Sequence, residues 1–389
     1  MTAIAGRRDP PVARRRDSLT GLRAVAAFAV CATHAAFWTG GYTDDLPGRM
    51  AARLEIGVAI FFVLSGFLLF RPWVRALAEG RPGPSLRRYA VHRVRRILPA
   101  YWVTVIATYA LFSVWRTQDA TLAHDWSGFL RSMTLTQIYG FGHLHVGLTQ
   151  MWSLAVEAAF YVALPLIAWV TVRVVCRGRW RPWAVVGALV VVGAISPIWA
   201  VLTSDGTLTD PTARLWPPAF VIWFACGMVL AVAAQCSMRV HPLLAVLVAV
   251  LAFQLSWTSA AGEPTITPTT AGATVVKSVL YAITASCLVG ALALSRRGNL
   301  LDRLLGHRVA VWLGEISYEF FLVHLVVLVW VMDLLGYPTF TGSMLGVLII
   351  TTVVSIPIAW ALHRTTYAWW WARSVPSGVT PTPDRSSAR

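Results

Sequence analysis

Arg23 and His34 stand eleven residues apart in an apolar stretch of the chain. At about 100° per residue, that spacing turns a helix through three full turns plus about 20°, so both side chains share one face, about 16 Å apart along the axis. A guanidinium grips phosphate bidentately and an imidazole exchanges protons near neutral pH. One stripe would then carry an anion-binding group and a general base. Structural roles compete: an arginine near a helix end snorkels to the interface, and a buried histidine can bond to a neighbouring helix.

Glu157 and His324 are the other ionisable residues well inside apolar segments. If their helices enter from opposite sides, His34, His324 and Glu157 fall at similar depth. A carboxylate accepting from one imidazole nitrogen would fix its tautomer and raise its basicity, as a hydroxyl-activating base requires. A purely structural Glu-His bond fits the same positions. Glu315 and Glu319 lie nearer the end of their segment and read as solvated or headgroup-facing, and Asp333 as a helix-end residue.

A cationic stretch, R-R-Y-A-V-H-R-V-R-R-I-L-P-A-Y over 87–101, places Arg93 and Arg96 one helical turn apart beside an apolar run. Such arginines serve orientation, phosphate binding, or both. His143 and His145 form an H-x-H pair without evident further ligands, so no metal site is expected. Ser65 sits in F-F-V-L-S-G-F with no adjacent base and reads as a small residue permitting close helix packing. Phosphate-loop, dinucleotide, serine-hydrolase and zinc-protease motifs are missing.

The elements that must position these groups follow from composition. Of 389 residues, 57% are hydrophobic and only 13% charged, against roughly 25% charged in soluble domains; mean hydropathy is +0.63. An all-α, polytopic membrane bundle of about ten helices is expected, at about 19–39, 55–71, 97–115, 151–175, 183–202, 214–235, 241–259, 273–294, 310–333 and 342–363. The runs do not alternate with period two, which excludes a β-barrel. Five single cysteines read as small buried hydrophobes.

The net charge of +16 is almost all arginine. With ten spans, 27 of the 33 Lys/Arg fall on the side of the termini and six on the other, which predicts both termini in the cytoplasm. Arginines in short loops argue for membrane orientation and anionic ligands rather than nucleic acid. The reading divides the chain into a basic, disordered tail over 1–17, a membrane domain over 18–365, and a segment over 366–389 with an interfacial cluster (Trp369, Trp370, Trp371) before a disordered tail. The first apolar run has no cleavage site and reads as a retained span. The longest gap, 116–150, contains a semi-apolar piece (Phe129 to Phe141) expected to dip toward the membrane.

Five motifs in order carry a resemblance: R-A-V-A-A-F-A-V-C-A-T-H from Arg23 to His34, F-F-V-L-S-G-F from Phe61, R-x-x-R-I-x-P from Arg93, W-S-L-A-V-E-A-A-F-Y from Trp152, and I-S-Y-E-F-F-L-V-H from Ile316. In order and spacing they resemble the membrane acyltransferase-3 family, from about residue 17 to 365. The resemblance implies transfer of an acyl group from an acyl-CoA co-substrate to a hydroxyl of a sugar or glycosylated molecule, with no permanently bound cofactor. It implies His34 as catalytic base, with Glu157 and His324 as further catalytic candidates, and Arg23, Arg93 and Arg96 on the CoA side. Ala158 stands where the family often has a second acid, and Phe321 where it often has Tyr, so no paired-carboxylate mechanism is assigned. The stand-alone form is more similar to the macrolide 3-O-acyltransferase branch, which implies a macrolide or other glycoside acceptor in the cytoplasmic membrane. A transporter or flippase for a glycosylated lipid is the alternative; it would show internal pseudo-symmetry, and no repeat is evident.

Overall fold

The computed structural model describes residues 17–115, 123–140, 143–204, 207–208, 210–265, 270–296 and 298–371, with side chains as far as 366. The expected tails therefore lie outside the described residues apart from Asp17, and so do the side chains of Trp369, Trp370 and Trp371. Every regular element among the described residues is helical.

The chain forms α1 (Asp17–Trp38), α2 (Leu46–Arg53), α3 (Ile56–Ala78), α4 (Leu86–Val114), α5 (Trp126–Met133), α6 (Trp152–Trp169), α7 (Pro182–Gly193) and α8 (Ile195–Ser204). It continues through α9 (Val221–Gln235), α10 (Pro242–Leu255), α11 (Ala271–Ala293), α12 (Leu300–Leu305), α13 (Arg308–Glu315), α14 (Ser317–Leu334) and α15 (Met344–Trp371). Nine helical stretches among the described residues are long and apolar enough to cross a membrane, and α10 is a shorter apolar helix of 14 residues. The expected span at 241–259 is thus shortened to α10. The expected span at 310–333 is divided into α13 and α14 at Ile316, which is non-helical.

Local chemistry sets the ends. Ser85 caps α4 by accepting from Arg88 N–H, Asp45 caps α2 from Gly48 N–H, and prolines open α7 and α10. The start at Ser85 places Arg87 to Arg96 on the first turns of α4 rather than in a loop. Of the expected membrane-dipping piece, 129–133 belongs to α5, held to α4 by Trp102 Nε1 donating to Met133 O at 3.0 Å and by Tyr101 donating to Ser132 O, and Phe141 lies outside the described residues.

Small residues decide how closely the helices approach. A Cβ on Gly66 would meet Phe224 O of α9, and one on Gly227 would meet Val63 O of α3, so the two backbones touch reciprocally. Gly57 lies against Ala26 and Val30 in the same way, seating α3 on α1. On its other side α1 meets α14, which is buried over 78% of its apolar window and forms the middle of the bundle. The loop after α14 is tied to the end of α1 by Phe340 N–H donating to Trp38 O at 2.8 Å.

Candidate active site

α1 and α14 bring two histidines together. His34 Nδ1 and His324 Nε2 are 2.9 Å apart, with ring centroids 5.2 Å apart and planes 26° from parallel. The His324 ring is completely buried, whereas His34 is half-buried. His324 Nδ1 lies 2.8 Å from Phe321 O and 3.3 Å from Phe320 O in its own helix. A carbonyl only accepts, so His324 Nδ1 carries the proton. In the neutral ring Nε2 is then an acceptor, and His34 Nδ1 must be the donor to it. His34 Nε2 is left with its lone pair. The backbone carbonyl of Phe321 thereby sets the tautomer of His34 through a second imidazole, a role often filled by a carboxylate.

Glu157 is not the partner of either histidine, contrary to the expected carboxylate-imidazole contact. Its Oε1 accepts from Ser65 Oγ and from Tyr161 OH, each at 2.5 Å. It lines a cavity of about 40 Å³ together with Arg23 and Arg96. The cause is local. A 3₁₀ segment, Val146–Met151, precedes α6, so the helical stretch begins at Val146 and carries Glu157 eleven residues in rather than six.

The three arginines are grouped around Tyr161. Arg23 from α1 and Arg96 from α4 line that cavity, together with Tyr161 and Tyr318, and the Arg93 guanidinium lies over the Tyr161 ring, 5.8 Å from its centroid. Tyr161 therefore connects the cations to Glu157. Arg96 is solvent-exposed and marks the cavity's outer edge, while Phe321, whose carbonyl orients His324, lines its inner wall. Sequence reasoning missed Ser65 and Tyr161 as partners of Glu157. It also missed His363 of α15, whose Nδ1 bonds Glu319 Oε1 at 3.0 Å; an ionisable residue inside the last apolar run was the available signal.

The remaining candidates have structural roles. Asp333 accepts from Trp115 Nε1. His145 accepts from Gly147 N–H at 3.2 Å through Nδ1, lies 3.4 Å from His124, and packs on Tyr109 and Phe112.

The arrangement places an imidazole with an available nitrogen on the same helix face as Arg23, about 16 Å along the axis, with Arg93 and Arg96 of α4 beside that arginine. A profile of a protein family described as an acyltransferase domain matches residues 16–364. The chain belongs to the acyltransferase-3 family. It is a multi-pass membrane O-acyltransferase. Among its relatives, this acyltransferase is 29% identical over 344 residues to acyltransferase MdmB of Streptomyces mycarofaciens, covering 82% of this chain and 80% of that one. It is 29% identical to peptidoglycan O-acetyltransferase OatA of Listeria monocytogenes over 50% of this chain but 30% of the relative. It is 28% identical to nodulation protein 10 of Rhizobium leguminosarum over 50% of this chain and 53% of the relative. No solved structure matches the acyltransferase.

Proposed function

We propose that the enzyme transfers an acyl group from acyl-CoA to a hydroxyl of a sugar or glycosylated natural product, such as a macrolide. The observation that carries this reading is the ordered relay from Phe321 O through His324 to His34, which leaves His34 Nε2 as the proton acceptor. In the reaction His34 Nε2 takes the proton of the acceptor hydroxyl as its oxygen attacks the thioester carbonyl carbon. The resulting imidazolium keeps its Nδ1–H bond to His324. Collapse of the tetrahedral intermediate breaks the C–S bond, and the imidazolium returns the proton to the leaving thiolate, yielding ester and free CoA.

Arg23, Arg93 and Arg96 would hold the phosphates of the donor, whose pantetheine arm reaches along α1 toward His34. The partition of 27 basic residues against six supports both termini, and with them the arginine end, facing the cytoplasm, where acyl-CoA is made. Acyl transfer is supported by the family match over most of the chain and by the extent of the similarity to the acyltransferase MdmB. Purified enzyme incubated with labelled acetyl-CoA and a panel of glycosides should release CoA and incorporate label into one acceptor class. Movement of an unmodified glycoside across vesicles, with no label incorporated, would overturn the proposal in favour of transport.

A further inference from the structure

A second and larger cavity, of about 480 Å³, lies across α3 from the arginine-lined one, and Val58 lines both. Its volume is in the range of roughly 300–1,000 Å³ typical of small-molecule sites. It belongs to the His34 end of the bundle: it is lined by Glu55 just before α3, Trp152 at the start of α6, Ser204 at the end of α8 and Thr274 in the first turn of α11. The same turn of α3 seats on α1 one to two turns before His34, where Gly57 meets Ala26 and Val30, and Thr33 Oγ1 reaches Ala52 O at 3.3 Å. The first turn of α3, which lines the cavity, therefore packs on the helix that carries His34.

The lining is suited to a particular chemistry. Trp152, Trp199, Phe220, Trp223 and Tyr281 supply aromatic surface. Trp199 Nε1 donates to Ala213 O and Trp223 Nε1 to Ser278 O, each at 2.9 Å, so these indoles are held rigidly and their N–H groups are already satisfied. What they present to the cavity is apolar ring. The charged groups are balanced: Glu55 and Asp210 against Lys277 and Arg214, with Lys277 Nζ 2.9 Å from Glu55 Oε1. A balanced rim offers donors and acceptors to hydroxyls but no net attraction for an ion, unlike the arginine cluster at the other end of the bundle. Rigid ring faces with mixed polar groups suit the C–H faces and hydroxyls of an uncharged sugar joined to an apolar body.

We infer that this cavity binds the acyl acceptor, as an uncharged amphipathic glycoside, and presents its hydroxyl to His34 past the first turn of α3. The inference rests on the proposed acyl transfer, so the site and the reaction are tested separately. The enzyme in nanodiscs is photolabelled with a diazirine-bearing octyl glucoside and, in parallel, with a diazirine-bearing dodecane. The glucoside should label peptides containing 196–223 and 274–281, and excess octyl glucoside should compete. Ser278→Phe and Thr203→Trp, which fill the cavity from two walls, should each lower labelling about tenfold, with unchanged size-exclusion elution showing that the fold is kept. Labelling elsewhere, equal labelling of the same peptides by the sugarless probe, or labelling indifferent to both variants would overturn the inference. In the transfer assay both variants should raise the KM of the accepted glycoside about tenfold and leave that of acetyl-CoA unaltered; an unaltered glycoside KM would likewise overturn it. Specific labelling of the cavity without transfer to any glycoside would instead overturn the reaction and leave the binding site standing.

Discussion

His34 Nδ1 stands 2.9 Å from His324 Nε2, and the direction of that hydrogen bond is set three residues back in α14, where Phe321 O accepts from His324 Nδ1 at 2.8 Å. The proton of His34 is thereby held on the nitrogen facing its partner. Only the other nitrogen remains to act on a substrate.

His34→Ala removes the proposed base outright. A positioned general base contributes about 10²- to 10⁴-fold, so kcat should fall by that factor while the KM for acyl-CoA and the yield of inserted protein stay near the parent's. Transfer at a near-parental rate by well-expressed variant protein would remove His34 from the mechanism.

The proposed mechanism makes His324 a positioning residue, and two substitutions separate positioning from packing. His324→Ala deprives His34 Nδ1–H of its acceptor; His324→Gln can restore one through its amide oxygen. Turnover should rank parent above His324→Gln above His324→Ala, with the alanine variant lower by about 10- to 100-fold in kcat. Equal defects in both variants, with lowered thermal stability, would reduce His324 to a packing role.

Glu157→Gln keeps an oxygen able to accept from both Ser65 and Tyr161, so activity should drop by less than about tenfold. Glu157→Ala leaves those two donors without their acceptor, at about 1–3 kcal/mol each, and should lower the melting temperature in detergent more than Glu157→Gln does. A kinetic loss for Glu157→Gln as large as that for Glu157→Ala would show that the carboxylate charge itself participates.

Arg23→Ala and Arg93→Ala should raise the KM for acyl-CoA, weaken its salt dependence, and leave the acceptor KM nearly unchanged. Lysine at either position should restore binding in part, because it keeps the charge and loses the forked geometry. Unaltered acyl-CoA KM together with mixed topology in reporter fusions would assign these arginines to orientation alone.

His145 provides a pH test outside the spans. Burial, with His124 beside it, lowers its pKa from 6.5 to about 4. The folded state then binds fewer protons than the unfolded one between those values, so its contribution to stability is present above about pH 6.5 and is lost progressively as pH falls toward 4. Thermal melts should show this decline, and His145→Gln should flatten it; an unchanged pH slope in the variant would dissociate the pair from acid sensitivity.

Properties confined to one helix were legible without the fold. The apolar runs announced the bundle, because a lipid-facing or buried helix must be apolar along its whole length. The spacing of Arg23 and His34 announced their common face, because helical rotation per residue is nearly constant. Relations between helices were not legible. The contact of His34 with His324 joins residues 290 apart and depends on the rotation and register of α14 against α1. The displacement of Glu157 to Arg23 depends on where a 3₁₀ segment begins. Those registers are set where backbones touch, at Gly66 with Gly227 and at Gly57 with Val30, by close packing that leaves no periodic trace in the apolar pattern. Residue identity therefore supplied the ionisable groups, and the tertiary structure decided which of them meet, because hydrogen bonds act over about 3 Å while a helix boundary uncertain by about 2–4 residues moves a side chain by about 3–6 Å and turns it by about 100° per residue.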